Sequence, residues 1–289
     1  MLSTLVQSIV SGALVGGMYA AIGIGLTLIF GVVRIVNFAH GSFLMAAAYC
    51  SWLLFDRFAI DPYASVLILV PAFFILGMVY YWTLLRPMVG TSLLAQSLLT
   101  IGVNLVIQNG ALGLFGSQVK IVELPYTTES IAILGLTLPV TRLVAGAAGL
   151  LATVIMYFGL WKTGLGVAVR ASASDRPIAE AMGINTYWAQ SVVTGISLAC
   201  VALGGAVLLP LYSASPAMAT DFTFLSFQII VLGGMGSFFG ALVGGVLLGI
   251  SESVGATFFD GSMGRMLTFV LFVLLLILRP NGILRGRPQ

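Results

Sequence analysis

Long apolar segments without a charged side chain constrain this sequence more than any other feature. An α-helix needs about 20 apolar residues to cross the hydrocarbon core of a bilayer. Only 7% of the 289 residues are charged, whereas a soluble domain carries about 25%. This excludes a cytosolic enzyme, a nucleic-acid-binding protein and a disordered chain. It predicts an all-α polytopic membrane protein with a single transmembrane domain over residues 1–289. The charge-free segments are 1–33, 35–55, 62–85, 87–119, 143–161, 181–220, 222–251 and 266–278.

These segments predict eight or nine membrane-spanning helices. The uncertainty in number comes from segment 222–251, which contains the run Gly233-Gly234-Met235-Gly236-Ser237. Each glycine in a helix interior costs roughly 1 kcal/mol relative to alanine, so a helix broken near 233–237 is expected. We place helices near 5–31, 35–55, 63–85, 91–115, 143–161, 189–211, 223–251 and 265–279.

The distribution of basic residues predicts the orientation of the chain. Lys and Arg are enriched in cytoplasmic loops of membrane proteins. Net basic connecting segments alternate along the chain with segments that are acidic or mixed. If the basic segments are cytoplasmic, the C-terminus lies in the cytoplasm and the N-terminus lies outside. No positive charge precedes Arg34, so the first helix is expected to be retained rather than cleaved as a signal peptide. The residues predicted to be cytoplasmic are Arg34, Arg86, Lys162, Arg170, Arg176, Arg279, Arg285 and Arg287.

The largest polar segment on the predicted cytoplasmic side spans residues 162–188. Ser174 or Asp175 can cap a helix, Pro177 suits its first turn, and Gly183 can end it. The sequence therefore predicts a short helix near 174–183. The alternative is an amphipathic loop that lies on the membrane surface.

Residues for catalysis and metal binding are scarce. The chain has one histidine, its two lysines do not belong to a phosphate-binding loop, and Cys50 and Cys200 lie within apolar segments as packing residues. We therefore predict no enzymatic activity, no catalytic residue and no metal site. A protein that moves a substrate fits better than one that transforms it.

A few polar residues within or beside the spans are candidates for a translocation path. Arg34, Asn37, His40 and Gly41 belong to segment 31–43, which is either a polar path lining or a turn that satisfies its own backbone. The pair Asn104 and Gln108 either lines a pore or forms hydrogen bonds between helices. The remaining candidates are Gly233, Gly234, Gly236 and Ser237.

Glycines spaced four residues apart form a second pattern. Gly12 and Gly16 make one pair, and Gly236, Gly240 and Gly244 make a ladder with Gly245 and Gly249 beside it. Small residues at this spacing let two helix backbones approach closely. We interpret the ladder as a packing surface.

Four blocks of the sequence resemble the LivH-type permease subunits of branched-chain amino acid ATP-binding-cassette (ABC) importers. They are GLTLIFGVVRIVNFAHGSFLMAAAY (25–49), TGLGVAVRASASDRPIAEAMGIN (163–185), VLGGMGSFFGALVGGVLLG (231–249) and LRPNGILRG (278–286). The blocks occur in the family's order and the resemblance covers essentially the whole chain. It implies a multi-pass protein of the bacterial inner membrane that forms the translocation path for branched-chain or related hydrophobic amino acids.

The resemblance also implies partners. They are a second, LivM-like permease in a heterodimer, two cytoplasmic ATPases that bind ATP and magnesium, a periplasmic substrate-binding protein, and membrane lipid. No nucleic acid is expected, and no cofactor is expected on this chain. The helix near 174–183 would be the coupling helix that contacts an ATPase. Residues expected at this contact are Arg170, Asp175, Arg176, Ala179, Glu180, Met182 and Gly183.

Two other functions remain open from the sequence. A permease of a urea or short-amide ABC importer is the closest, because such permeases look similar. A stand-alone secondary transporter is more distant, and a separate ATPase that co-purifies with the chain would distinguish it.

Overall fold

The computed structural model describes residues 2–133, 135–258, 261–279 and 282–284, so Arg285 and Arg287 lie outside the described residues. Within these ranges the chain is a helical bundle with one short hairpin of two antiparallel strands, β1 (Ser130–Ile133) and β2 (Leu136–Pro139). A π-helical turn (Ile29–Val33) extends the first helix, and π and 3-10 turns (Tyr81–Leu85 and Arg86–Met88) extend the third. The helices are α1 (Leu2–Leu28), α2 (His40–Phe58), α3 (Pro62–Tyr80), α4 (Leu93–Phe115), α5 (Val140–Lys162), α6 (Gly164–Ser174), α7 (Arg176–Ala181), α8 (Thr186–Tyr212), α9 (Met218–Gly233), α10 (Phe238–Phe258) and α11 (Gly261–Leu278).

Six of the helical segments in the described ranges are long and apolar enough to cross a membrane. They contain α1, α3, α4, α5, α8 and α10, while α9 and the apolar part of α11 are shorter. The all-α polytopic fold is therefore confirmed, and the total of eight or nine spans stays a prediction. Helices α1 and α8 are mostly buried and form the centre of the bundle, and α4 is mostly exposed.

The glycine ladder is a packing surface, as predicted, and it has two faces. Gly240 and Gly244 of α10 lie against α9, whereas Gly245 and Gly249 lie against α1. A Cβ atom on Gly12 of α1 would be 2.6 Å from the carbonyl oxygen of Gly249. The two backbones thus approach as closely as small residues allow. Gly236 has a different role, because it belongs to the turn before α10.

The predicted break lies between α9 and α10. Gly234 and Gly236 have φ values of 96° and 82°, which a residue with a side chain rarely adopts. The chain reverses here, and α10 packs back against α9. Residues near the C-terminus complete the turn, since the Ile283 amide donates to the Leu232 carbonyl at 2.7 Å. This satisfies one of the carbonyl groups that the end of a helix leaves without a partner.

The second helix begins later than predicted. We expected a helix over 35–55, but residues 35–39 are not helical and α2 starts at His40. Arg34 has a left-handed φ of 60° and ends the π-helical turn after α1. Ile35, Asn37 and Ala39 are nevertheless fully buried within the bundle. Protein surrounds this irregular backbone, which is the condition for such backbone at membrane depth.

The two ends of the bundle carry opposite charge. One end, which we call the basic end, holds the turn at 234–237, helices α6 and α7, and the basic residues Arg34, Arg86, Lys162, Arg170, Arg176 and Arg279. The other, which we call the acidic end, holds the β-hairpin and the start of α1, joined by the Gln7 amide donating to the Thr137 carbonyl at 2.9 Å. Acidic residues prevail there, among them Asp56, Asp61, Glu123, Glu129 and Asp221.

Cys50 and Cys200 are both free cysteines, as expected for packing residues.

Candidate functional site

The short helix predicted near 174–183 is present as α7, Arg176–Ala181. Asp175 caps it, because its carboxylate accepts a hydrogen bond from the Ile178 amide at 3.1 Å, and Pro177 lies in the first turn. The helix ends at Ala181, and Gly183, whose φ is 82°, lies in the turn that follows. The Ile184 amide donates to the Ala179 carbonyl at 3.0 Å and closes the end. The sequence did not predict the preceding helix, α6, which packs against α5 and α8.

A polar network fixes α7 to the start of α8. The Glu180 carboxylate accepts hydrogen bonds from the Thr186 hydroxyl at 2.5 Å and from the Arg176 guanidinium at 2.9 Å. The Thr186 hydroxyl and then the Arg176 guanidinium lower the pKa of Glu180 below its usual value of 4.5. The Tyr187 ring lies between two guanidinium groups, with Arg176 at 4.4 Å and Arg86 at 4.8 Å from its centroid. These contacts hold α7 in one orientation.

Two apolar side chains of this segment project outward. Met182 is 78% exposed and Ile178 is 62% exposed. Ala179 is buried and so anchors α7 to the bundle rather than presenting itself to another protein. Of the other residues expected at the ATPase contact, Arg170, Asp175, Glu180 and Gly183 are exposed and Arg176 is half-buried. We call the exposed residues Arg170, Asp175, Ile178, Glu180, Met182 and Gly183 the α7 surface.

A cavity of about 430 Å³ lies beside α7 at the basic end. Arg34, Gln96, Asp175, Arg176 and Gln190 contribute to its lining. The Arg34 guanidinium donates to the Ala173 carbonyl of α6 at 3.3 Å. Arg34, predicted as a pathway residue, is thus placed next to the predicted coupling segment.

The other pathway candidates in segment 31–43 are buried inside the bundle. A ring nitrogen of His40, Nε2, is 3.1 Å from the Ile22 carbonyl, and the Asn37 side-chain oxygen accepts from the Tyr80 hydroxyl at 3.2 Å. A Cβ atom on Gly41 would overlap the backbone of α9 at Ala219. Gly41 therefore serves the packing of α2 on α9.

Asn104 and Gln108 form hydrogen bonds between segments, which was one of the two predicted alternatives. The Ser42 hydroxyl of α2 donates to the Asn104 side-chain oxygen. The Gln108 amide donates to the Pro216 carbonyl at 3.1 Å. The pair ties α4 to its neighbours.

The glycine-rich turn lies at the basic end, not halfway through the bundle. Gly233 packs on Gly240, and the Ser237 hydroxyl accepts a hydrogen bond from the Gly240 amide at 3.0 Å and caps α10. Gly234 is buried, while Gly236 is exposed. Neither these residues nor Asn37, His40, Gly41, Asn104 and Gln108 line the cavity beside α7.

A second cavity was not predicted from the sequence. It has a volume of about 150 Å³ and lies among α1, α9, α10 and α11. Its polar lining includes Tyr19, Tyr212, Gln228 and Glu252. The signal for it was Glu252, which we had placed just beyond a predicted helix end at 251. Helix α10 in fact continues through Glu252 to Phe258, and an acidic residue inside a span is a functional candidate.

Comparison with known proteins gives a consistent result. Residues 8–277 match the family model described as the permease component of branched-chain amino acid transport systems. The chain is 31% identical to the high-affinity branched-chain amino acid transport system permease protein BraD of Pseudomonas aeruginosa, over 98% of this chain and 96% of the relative. It is 28% identical to LivH of Salmonella typhimurium, with the same coverage, and 26% identical to a probable LivH of Methanocaldococcus jannaschii over 96% of this chain and 92% of the relative. No solved structure matches the chain. The chain is a multi-pass membrane protein and belongs to the branched-chain amino acid transport permease family.

Proposed function

We propose that this chain is the permease subunit of an ABC importer and forms the translocation path for branched-chain or related hydrophobic amino acids. In this proposal a second, homologous permease completes the path. Two ATPase subunits hydrolyse ATP, and a periplasmic protein delivers the substrate. The chain itself catalyses no reaction and binds no cofactor. The chain belongs to a family of transport permeases, and the observation that supports a contact with an ATPase is the outward-facing α7 surface.

The basic end faces the cytoplasm of a bacterial inner membrane in this proposal, and the C-terminus lies on that side. Arg86, Lys162, Arg170 and Arg176 lie together at this end, as the preference of basic residues for cytoplasmic loops favours. The acidic end, with the β-hairpin, then receives the substrate-binding protein.

The α7 surface has the properties of a docking element. Exposed Met182 and Ile178 offer apolar contact area, while the Asp175 cap and the Glu180 network keep the helix rigid. A rigid element transmits a displacement of the ATPase to α6 and α8, on which it is anchored through Ala179 and Thr186. Closure of the ATPases on ATP would thereby shift the permease between outward-open and inward-open states.

The path residues proposed from the sequence act in this mechanism from inside the bundle. Asn37, His40 and Gly41 lie where irregular backbone precedes α2, and Gly234 and Gly236 form the turn beside it at the basic end. In an alternating-access cycle, the segment 34–39 is the one that would expose polar backbone to a zwitterionic substrate. Arg34 lies at the cytoplasmic exit, next to the α7 surface.

The direct test is co-purification of the permease with its ATPase after changes on the α7 surface. We expect Met182→Glu to reduce the ATPase recovered per permease by about tenfold or more, because a buried hot-spot side chain at an interface contributes over 1.4 kcal/mol. Leucine uptake by membrane vesicles should fall in parallel.

A matched control is Ile131→Glu, since Ile131 is also an exposed apolar residue but lies in the hairpin at the acidic end. It should leave ATPase recovery unchanged. Equal loss in both variants, or no loss in Met182→Glu, would contradict the proposed contact. Uptake of urea or a short amide instead of leucine by the unaltered complex would favour the alternative importer.

A further inference from the structure

The cavity beside α7 lies between the segment that follows α1 and the α7 surface. Its volume of about 430 Å³ falls within the range of about 300–1,000 Å³ that is typical of small-molecule sites. We propose that this cavity binds a free amino acid on the cytoplasmic side, as a zwitterion with an apolar side chain, and that the bound amino acid slows further import. This inference rests on the proposed function and its orientation, and it adds a site of feedback by the imported molecule.

The lining of the cavity offers one available charge of each sign. Its charged residues are Arg34, Asp175 and Arg176. The Arg176 guanidinium is engaged by the Glu180 carboxylate at 2.9 Å, whereas within the described residues Arg34 and Asp175 form no ion pair. Arg34 uses one of its five N–H donors on the Ala173 carbonyl, and one Asp175 oxygen caps α7. A zwitterion placed between Arg34 and Asp175 pairs with both charges.

Gln96 is the second, independent indication of a ligand. The residue is 6% exposed and lines the cavity near the start of α4. Its amide nitrogen donates to the Met88 and Thr91 carbonyls at 3.1 and 3.2 Å, and these two acceptors fix the orientation of the amide. The amide oxygen is buried and has no hydrogen-bond partner within the described residues. A buried acceptor without a donor is costly, and an ammonium group in the cavity supplies one.

The complete lining fits a zwitterion better than a simple anion. Arg34 can donate to a carboxylate, while the oxygens of Asp175 and Gln96 can accept from an ammonium group. A simple carboxylate leaves the Gln96 oxygen without a donor and brings a second negative charge near Asp175. The other lining residues carry no charge, and they include apolar walls for an aliphatic side chain, formed by Val32, Val33, Val89 and Pro177.

The lining residues come from three parts of the chain, and this connects binding with coupling. Residues 32–34 end the extension of α1, residues 89–96 lead into α4, and residues 172–177 join α6 to α7. In the proposed cycle the ATPase displaces α7. An amino acid held between Arg34 and Asp175 opposes that displacement, because a ligand favours the state that binds it more tightly. A high concentration of the amino acid in the cytoplasm therefore slows its import.

The test of feedback uses the complete importer in liposomes, with ATP trapped inside and the substrate-binding protein and radiolabelled leucine outside. Trapped ATP drives only those complexes whose ATPases face the lumen, so the lumen represents the cytoplasm. Unlabelled leucine preloaded into the lumen should lower the initial rate of labelled uptake severalfold. ATP hydrolysis measured in the same liposomes should fall in parallel.

Direct binding is measured by equilibrium dialysis of labelled leucine against the purified complex of permeases and ATPases, without the substrate-binding protein. We expect Arg34→Gln to weaken binding by about tenfold or more, which is the loss of one charge-assisted hydrogen bond. Arg34→Lys keeps the charge and should recover part of the binding. Neither 4-methylpentanoate, which lacks the amino group, nor 3-methylbutylamine, which lacks the carboxylate, should displace leucine.

Variants connect the feedback to this cavity. Arg34→Gln, Gln96→Leu and the obstructing change Ser174→Trp should each relieve the inhibition, expressed relative to the uptake of the same variant without preloaded leucine. Arg57→Gln and Gln7→Leu at the acidic end are matched controls and should keep it. Gln7 resembles Gln96 in donating two hydrogen bonds from its amide nitrogen, so the loss of such bonds is matched. Basal ATPase activity shows that each variant is assembled.

The outcomes separate this inference from the proposed function. If the unaltered liposomes do not take up leucine, the proposed function fails. If they do, but preloaded leucine does not slow them or the complex alone binds no leucine, only the further inference is overturned. It is also overturned if assembled Arg34→Gln and Gln96→Leu complexes bind leucine as tightly as the unaltered one, or if 4-methylpentanoate displaces leucine equally well.

Discussion

Helices α10 and α4 both contain several glycines within an apolar span, yet the glycines do different things. In α10, Gly240 and Gly244 lie against α9, and Gly245 and Gly249 lie against α1, so a Cβ at each of these positions would meet a neighbouring backbone. In α4, Gly102, Gly110 and Gly113 have open space where a Cβ would be.

The difference shows that glycine spacing indicates close helix packing only where a neighbouring helix lies against the glycines. The ladder in α10 lets two backbones approach, and van der Waals contact then replaces contact with lipid. Helix α4 packs mainly on α2 and is otherwise exposed within the described chain. Its glycines contribute nothing to the packing of this subunit.

The largest effect is expected for Gly249→Leu in α10. A Cβ there would be 2.6 Å from the Gly16 amide nitrogen, and backbone cannot move away as a side chain can. Overpacking of this kind costs about 3 kcal/mol or more. We expect little folded permease in the membrane, measured by size-exclusion chromatography in detergent. A folded yield equal to that of the unaltered chain would show that α1 and α10 are not tightly packed.

An intermediate effect is expected for Gly183→Ala after α7. Space is open around Gly183, but its φ of 82° disfavours a residue with a side chain by about 1 kcal/mol. The fold should survive, while ATP-dependent uptake falls severalfold because the end of α7 is displaced. Thr83→Ala, an exposed change in the extension of α3, is a suitable control. If Gly183→Ala leaves uptake unchanged, the conformation at the end of α7 does not affect the coupling of ATP hydrolysis to transport.

The smallest effect on this subunit is expected for Gly110→Leu in α4. No atom lies within 4 Å of a Cβ at Gly110, and replacing a glycine in a helix interior removes a cost of at most about 1 kcal/mol, so the Tm of the isolated permease should stay the same or rise slightly. The same variant in the complete importer tests whether a second chain covers α4. If Gly110→Leu destabilises the isolated permease as much as Gly249→Leu does, the glycines of α4 are packed as tightly as those of α10, and the comparison is wrong.

Acid should weaken the polar network on α7 in a defined direction. Because hydrogen bonds from Thr186 and Arg176 lower the pKa of Glu180, its contribution to stability is fully present above the usual value of 4.5. It is lost as the pH falls through the lowered pKa. Glu180 therefore stays ionised near neutral pH, and its ionisation should not change the coupled ATPase activity of the importer in that range. A Glu180→Gln variant lacks the charge at every pH. Its coupled ATPase activity should therefore differ from that of the unaltered complex throughout the neutral range, as a titration of activity against pH would show.

Local chemistry was enough to predict several elements closely. Asp175, Pro177 and Gly183 predicted α7, and each acts in the structure as its chemistry requires, as cap, first-turn residue and terminator. Gly234 and Gly236 likewise predicted the break before α10. In these cases the information lies within a few residues of one another, so a single sequence contains it.

Other features depend on residues far apart in the chain. Asn37 and His40 are three residues apart and look like members of one helix, but only His40 is helical; segment 35–39 is irregular and buried, and Asn37 is held by contacts such as the Tyr80 hydroxyl. Glu252 ended a charge-free segment and so was taken as the end of a helix. Only the contact with Tyr19, which is 233 positions away in sequence, shows that this half-buried carboxylate lies against α1.

By itself, the sequence determined that the chain is a helical membrane protein, which of its segments are apolar, where α7 begins and where the chain breaks between α9 and α10, and which residues carry the family's pattern. These properties follow from hydrophobicity, backbone conformation and local capping, all of which act over a few residues. The tertiary structure decided which glycines are packed, that Asn104 and Gln108 bond to other segments, and that Tyr19, Gln228 and Glu252 share one cavity. Those properties come from the close approach of helices distant in sequence, and no local pattern specifies which faces will meet.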